Sequence, residues 1–214
     1  PYGPCSSAFN SEYIAGGSSS GSAVSVSLQH VSFSIGTDTG GSGRIPAALN
    51  NIVGLKPTCG TLSSNGLVPC CPSIDCPSIF ALSVSDASHI ATIMHSTNVS
   101  DSTLRDQHEC VEFSAINSSS VVSILYPSGS DLEFFGNIEG QSIYLDFLES
   151  LRSKGFNFSS FDFSPLLEAG SLLFDGAFLA DRFSSVGSVL NSSNHPDVLA
   201  TTTSVVSKAA SISG

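Results

Sequence analysis

Residues 36–51 read "GTDTGGSGRIPAALNN" and set one serine, Ser42, among glycines, with an arginine two positions later. An earlier stretch, "GGSSSGSA" at residues 16–23, begins its run of serines with Ser18. Gly/Ser-rich stretches are most often flexible linkers, which have polar flanks. Both of these stretches are embedded in apolar segments. Their glycines therefore indicate backbone that needs a positive φ or the close approach of a ligand.

Two well-known glycine motifs do not match these stretches. Neither G-x-x-x-x-G-K-[ST] nor G-x-G-x-x-G occurs there, and Arg44 stands where the nucleophile elbow G-x-S-x-G requires its last glycine. The pattern instead favours acyl transfer, because Thr39, Gly40 and Gly41 are placed to present backbone N–H groups to a developing oxyanion beside the Ser42 hydroxyl. A serine needs a base to take its proton, and none of the five histidines stands in a recognisable triad context.

Composition narrows the classes of partner. Seven basic and eighteen acidic residues give a net charge of -11, which repels nucleic acid and anionic membrane surfaces. No apolar run approaches the roughly 18 residues that cross a bilayer. The opening "PYGPCSSAFN" lacks the basic and apolar segments of a secretory signal. These features predict a soluble cytoplasmic protein with no nucleic-acid or membrane partner, and the start without methionine suggests that an N-terminal portion is absent.

The six cysteines do not form a metal motif. "CCPSIDC" has no C-x-x-C spacing, and its nearest histidine is His89, so a zinc site is disfavoured. We expect buried free thiols in a reducing compartment.

Hydrophobic patterning predicts an α/β chain. Strands are expected at residues 31–35, 121–127 and 156–163, and a strand entering a helix at residues 78–94, with Ser85 or Asp86 as N-cap. Helices are expected at residues 144–154 and 165–183, the latter with Gly170 and Gly176 as weak points. Val24, Val26 and Leu28 alternate with serines, which favours strand, although the same segment can open a helix. Residues 95–120 read as less ordered, and the last twenty carry no clear signal.

Taken together, the two serine stretches and the following "IVGLKPT" resemble the amidase signature family, which cleaves or transfers amides with a Ser-Ser-Lys triad and no metal or organic cofactor. The resemblance implies an α/β fold with a mixed β-sheet covered by helices on both faces, a helix after Gly21 and a cis peptide bond before Ser18. It also assigns roles to single residues. Ser42 is the nucleophile, Ser18 relays its proton to a lysine, Thr39, Gly40 and Gly41 line the oxyanion hole, and Ser19, Asp38 and Arg44 support the loops.

Beyond these loops, "GLVPCCPSIDCPSIFALSVSDA" and "LLEAGSLLFDGAFLADRF" resemble the allophanate hydrolase branch of that family, which acts on a small amide in urea breakdown. Residues 1–186 then form an incomplete amidase domain, and residues 187–214 a Ser/Thr-rich segment without assignment. In that branch a tyrosine and an arginine hold the substrate carboxylate, and here these places are Phe174 and Arg182. The resemblance leaves open a fused or associated urea carboxylase and a homodimer.

The main departure from the family is the catalytic lysine. Lys56, Lys154 and Lys208 are the lysines of this sequence, and none matches the family's base, which precedes the first serine loop. The chain alone is therefore expected to be inactive. Two alternatives stay open: an inactive fragment or non-catalytic binding module, and an amidase subunit like that of glutamyl-tRNA amidotransferase. The acidic charge and Arg182 argue against the second.

Overall fold

The computed structural model describes residues 3–95, 101–105, 123–191 and 198–212. Two compact units divide the chain, one made of residues 1–113 and 172–214, the other of residues 114–171. Most of the run predicted to be less ordered lies outside the described residues. Within the described ranges, no helix has the length and hydropathy needed to cross a bilayer.

The larger unit contains a three-stranded antiparallel sheet with β3 in the middle. Its strands are β1 (Phe33–Thr37), β2 (Val53–Leu55) and β3 (Pro77–Ala81). Every residue of β3 is buried, as expected for a strand paired on both edges and covered on both faces.

Helices pack against both faces of this sheet. Successive residues of a strand point to opposite sides, and in β3 they separate two apolar clusters. Phe80 packs with residues of α1 (Ser20–Ser27) and α2 (Arg44–Leu49). Ile79 and Ala81 pack with α3 (Val84–His95). Coverage on both faces agrees with the predicted fold class.

The sequence pattern after Gly21 is compatible with a strand and with a helix, and the structure has a helix there. Residues Ser20–Ser27 form a helix, and its buried side chains are Ala23 and Val26, three residues apart. That spacing is one helical turn, so the two side chains face the sheet together. The helix that the resemblance implies after Gly21 is therefore confirmed, and the strand indicated by alternation alone is wrong. Leu28, which contributed to that alternation, is exposed just beyond the last turn.

The smaller unit is built on a parallel strand pair. Strands β4 (Ser123–Pro127) and β5 (Asn157–Phe161) are joined by α4 (Ile138–Ser153), as a parallel pairing requires a crossover. The Asn137 side chain caps α4 by accepting a 2.8 Å hydrogen bond from the Gly140 N–H. Both predicted strands and the predicted helix are confirmed.

Residues 164–191 form two helices that separate at Gly176. They are α5 (Ser164–Asp175) and α6 (Ala177–Asn191). Gly176 is the break and Gly170 lies inside α5, so only one of the two predicted weak points interrupts the helix. Helix α6 runs through residue 186, where the sequence placed a domain boundary.

Two helix starts differ from the sequence-based expectation. The α3 cap is Ser83, whose Oγ accepts from the Asp86 N–H at 3.1 Å, so the prediction of Ser85 or Asp86 is wrong. In the tail that carried no clear signal, α7 (Ala200–Ser207) forms and buries Val206. Serine and threonine are weak helix formers, and burial of an apolar side chain outweighs that preference here.

Candidate active site

The two serine loops meet through their backbones. The Ser19 N–H donates to the Ser42 carbonyl oxygen at 3.3 Å. The Ser19 hydroxyl also links both backbone groups of Thr37, donating to the carbonyl at 3.1 Å and accepting from the N–H at 3.2 Å. The peptide bond between Gly17 and Ser18 is cis, as the resemblance implied. The first loop is thus attached to the end of β1, immediately before the second loop.

Gly36 makes this approach sterically allowed. A Cβ at position 36 would lie 2.6 Å from the Ser19 Oγ and 2.9 Å from the Phe80 ring. Any larger residue at position 36 would displace the Ser19 hydroxyl from Thr37.

Asp38 organises the second loop. Its buried carboxylate accepts hydrogen bonds from the Gly41 N–H at 2.7 Å and from the Gly43 and Arg44 N–H groups at 3.1 Å. The Arg44 guanidinium adds Nε at 2.9 Å and Nη2 at 3.0 Å. The prediction that Asp38 and Arg44 support the loop is consistent with these five bonds, which an ordinary surface ion pair would not make.

The charge state of Asp38 follows from the same contacts. Burial alone would raise the pKa of this carboxyl, but the hydrogen bonds from Arg44 and from the Gly41 and Arg44 N–H groups outweigh it. The pKa of Asp38 is therefore lowered, and the group is ionised near neutral pH. The Arg44 side chain stays 56% exposed, so the fixed part of the pair is the carboxylate.

The predicted oxyanion-hole residues differ in whether their backbone N–H groups are already hydrogen-bonded within the loop. The Gly41 N–H is already bonded to Asp38, and Gly41 adopts a φ of 116°, which strongly favours glycine. For the N–H groups of Thr39 and Gly40, the described residues offer no hydrogen-bond acceptor. These two N–H groups are thus available to a ligand, whereas the Gly41 N–H holds the shape of the loop.

The hydroxyls of Ser18 and Ser42 make no hydrogen bond with any described residue. Ser18 is exposed and Ser42 half-buried. Lys56 donates from Nζ to the Pro57 carbonyl at 2.7 Å and lies 3.9 Å from the Cys59 sulfur, and no contact joins it to either serine within the described part of the chain. The passage of a proton from Ser42 through Ser18 remains a prediction.

Sequence reasoning missed two polar residues that hold the loops. Asp75 accepts a hydrogen bond from the Thr39 hydroxyl. Asn50 is buried and makes three side-chain hydrogen bonds near the first loop. It donates to the Ala15 carbonyl at 2.9 Å and to the Pro46 carbonyl at 2.8 Å, and it accepts from the Ala8 N–H at 2.9 Å. Asn50 ends α2 in the quoted stretch, so its position beside an apolar run was the available signal.

The predicted substrate-binding arginine contacts Phe174, and Leu173, the residue before Phe174, contacts the nucleophile loop. Leu173, in the last turn of α5, occupies the space where a Cβ on Gly40 would stand, at 2.3 Å. Phe174 is the next residue, and the Arg182 guanidinium carbon lies 5.6 Å from the centroid of the Phe174 ring. The Arg182 Nε is buried and has no hydrogen-bond partner among the described residues. An unpaired buried donor of this kind is suited to a ligand acceptor.

The five cysteines within the described ranges are free thiols with differing exposure. Cys71 and Cys76 are buried, as predicted, but Cys5 and Cys70 are exposed, and Cys110 lies outside the described residues. Burial and the hydrogen bond to Asp181 raise the pKa of the Cys71 thiol to about 12, so it stays protonated and acts as a donor. Among the described residues, no cluster of three potential metal ligands occurs.

Comparison with known proteins gives one consistent set of relatives. The family model described as Amidase matches residues 1–211. Urea amidolyase of Saccharomyces cerevisiae is 39% identical over 192 residues, which cover 90% of this chain and 10% of that protein. The A subunit of glutamyl-tRNA(Gln) amidotransferase of Mycoplasma genitalium is 53% identical over 85 residues, or 40% of this chain and 18% of that subunit.

The structural comparison covers the whole chain. A variant of Kluyveromyces lactis allophanate hydrolase superposes with a TM-score of 0.86 at 35% identity, covering 100% of this chain and 34% of that one. The chain thus spans a tenth of the urea amidolyase and about a third of the allophanate hydrolase that it matches.

Proposed function

This chain belongs to the amidase family, and from that membership we propose that it supplies the nucleophile-bearing part of an allophanate hydrolase. Similarity to urea amidolyase and allophanate hydrolase over nearly the whole chain supports this assignment. The observation on which it chiefly rests is the contact of the two serine loops, Ser19 N–H to Ser42 carbonyl at 3.3 Å, which brings Ser18 next to the nucleophile loop.

In the proposed reaction, the Ser42 oxygen attacks an amide carbonyl while its proton passes to Ser18 and on to a lysine outside these 214 residues. The N–H groups of Thr39 and Gly40 stabilise the oxyanion of the tetrahedral intermediate, and each such donor typically contributes a factor of about 100 to 1,000 in rate. The amide nitrogen takes a proton and leaves as ammonia. The remaining acyl group is then bound to the Ser42 oxygen as an ester. Water then attacks this ester and releases the acid with the Ser42 hydroxyl restored.

Arg182 is proposed to bind the carboxylate of the substrate. Its buried, unpaired Nε supports this role, since a guanidinium can hold a carboxylate with two parallel hydrogen bonds. Phe174 provides the ring against which the guanidinium packs but no hydroxyl. We expect Phe174→Tyr to lower the KM for allophanate about tenfold or more with little change in kcat, because one hydrogen bond to a charged group contributes about 1.5 to 3 kcal/mol.

The test of the proposed function is ammonia release from allophanate by the complete protein that contains this chain. Ser42→Ala should abolish release, whereas the matched Ser85→Ala, on the exposed side of α3, should leave it unchanged. If Ser42→Ala released ammonia at the wild-type rate, Ser42 would not be the nucleophile. If the wild-type protein releases no ammonia, the non-catalytic alternative is supported.

The similarity to the glutamyl-tRNA(Gln) amidotransferase subunit favours a second candidate, an amidase that releases ammonia for transfer. The net charge of -11 and the buried, unpaired Nε of Arg182 favour a small acidic amide over a tRNA-bound complex. Competition between allophanate and glutamine as substrates distinguishes the two. For the complete protein we propose a cytoplasmic location, action with a fused or associated urea carboxylase and no requirement for a metal or organic cofactor, and the resemblance leaves a homodimer open.

A further inference from the structure

Asp75 lies in the loop that precedes β3 and collects three donors. Its half-buried carboxylate accepts from the Cys70 N–H at 2.8 Å and from the Cys71 N–H at 3.0 and 3.1 Å. The third donor is the Thr39 hydroxyl. The carboxylate therefore shapes its own loop and, through Thr39, reaches the loop that carries Ser42.

Thr39 is held from two sides. Its neighbour Asp38 donates a backbone hydrogen bond to the Cys76 carbonyl at 2.8 Å, and its own side chain bonds to Asp75. The peptide N–H of Thr39 is the group left without an acceptor among the described residues. The Thr39 hydroxyl is occupied by Asp75, so Thr39 offers a substrate its backbone N–H, in an orientation fixed through its side chain.

The loop of Asp75 is connected to α6 at its other end. The Asp181 carboxylate accepts from the Ser73 N–H at 3.0 Å and from the Cys71 thiol at 3.1 Å. That thiol also lies 3.4 Å from the Phe178 carbonyl. Asp181 directly precedes Arg182. The loop therefore contacts Thr39 through Asp75, and it contacts α6, the helix of Arg182, through Ser73 and Cys71.

We propose that Asp75 is a positioning residue, which fixes the Thr39 N–H for the oxyanion and links it to the helix of Arg182. The proposal rests on the proposed function. An interaction that aligns the oxyanion donor acts on the transition state more than on the bound substrate, so its loss lowers kcat and leaves KM nearly unchanged. A residue that only stabilised the fold would instead lower the amount of folded enzyme.

The experiment uses the complete protein with Asp75→Ala and with Thr39→Val. Thr39→Val removes the donor to Asp75 and leaves the bonds that Asp75 accepts from Cys70 and Cys71 in place. We expect kcat for allophanate to fall about 10-fold or more with KM within about twofold. Thr39→Ser, which keeps the hydroxyl, recovers most of the lost kcat. The double variant is no slower than Asp75→Ala alone, because without the Asp75 carboxylate the Thr39 hydroxyl has no contact with it left to lose. Thr92→Val, at an exposed threonine of α3, is the matched control.

Hydrogen exchange of the peptide covering residues 36–51 gives a readout that does not depend on the substrate. It should accelerate in Thr39→Val and not in Thr92→Val. Wild-type kcat with unchanged exchange in Thr39→Val would overturn the proposal, as would a rise in KM alone. If the wild-type protein cleaves no allophanate, the proposed function fails, while the exchange rates still decide whether Asp75 holds this loop.

Discussion

The first serine loop is held at a few points by neutral groups, whereas the second is gathered around one buried charge. In the first loop, the Ser19 hydroxyl bridges the backbone of Thr37, and Ser18 beside it is exposed. In the second, the Asp38 carboxylate accepts five hydrogen bonds. Hydrogen bonds to a charged acceptor are roughly twice as strong as neutral ones. The shape of the second loop therefore depends on the Asp38 side chain, whereas the position of the first loop depends on its hydrogen bonds to β1.

The largest effect is expected from Asp38→Ala, which removes the centre of the second loop. Three backbone N–H groups and the Arg44 guanidinium would lose their acceptor. We expect the free energy of unfolding to fall by about 2 to 5 kcal/mol, because each buried N–H left without an acceptor costs about 1 to 3 kcal/mol, and the remaining folded enzyme to lose at least about 100-fold in kcat. Chemical denaturation and steady-state kinetics measure the two effects, and Asp146→Ala on the exposed side of α4 is the control. A stable Asp38→Ala enzyme with normal kcat would show that the second loop does not depend on the Asp38 carboxylate.

A smaller effect is expected from Ser19→Ala in the first loop. The change removes two neutral hydrogen bonds to Thr37 and leaves the Ser19 backbone bond to Ser42 in place. We expect the free energy of unfolding to fall by about 1 to 3 kcal/mol and kcat to fall about 10-fold. The same denaturation and kinetic measurements apply, with Ser85→Ala as control. If Ser19→Ala costs more than Asp38→Ala, the ranking of the two loops is reversed.

Acid should weaken the second loop selectively. The pKa of Asp38 in the folded protein lies below its ordinary value near 3.8, so its contribution to stability is present above about pH 4 and is lost as the pH falls through the lower folded-state pKa. Denaturation between pH 6 and pH 2.5 should show wild type losing more stability than Asp38→Asn. Parallel pH profiles for the two proteins would contradict the assigned pKa direction. Ser19→Ala should retain the wild-type slope.

The smallest effect is expected at Ser78, which lies behind the second loop. Its buried Oγ has no hydrogen-bond partner among the described residues, and a Cβ on Gly43 would lie 2.5 Å from it. Ser78→Ala removes an unsatisfied hydroxyl, so the free energy of unfolding should change by less than about 1 kcal/mol or rise slightly. Thermal unfolding of this variant beside wild type is the measurement. A large loss would mean that Ser78 has a partner in the working protein.

The predictions from sequence were most accurate where a short pattern carries the information. The Gly/Ser stretches led to both loops, and apolar runs gave β4, β5 and α4. Alternation alone failed where local pattern and packing disagree, although the family resemblance correctly implied the helix after Gly21. Val24 and Val26 alternate as in a strand, yet Val26 is buried with Ala23 on one face of α1. The roles of Gly40 and Gly41 also differ in a way that no glycine count could show, since only Gly41 bonds to Asp38.

The sequence by itself determined which residue types carry the chemistry, since a serine flanked by glycines is a local feature and needs no distant contact to be recognised. Tertiary structure alone decided what holds them. Thr39 meets Asp75 across 36 residues, and Cys71 meets Asp181 across 110. Such pairs form only when the chain has folded, because burial brings distant donors and acceptors together and requires them to satisfy one another.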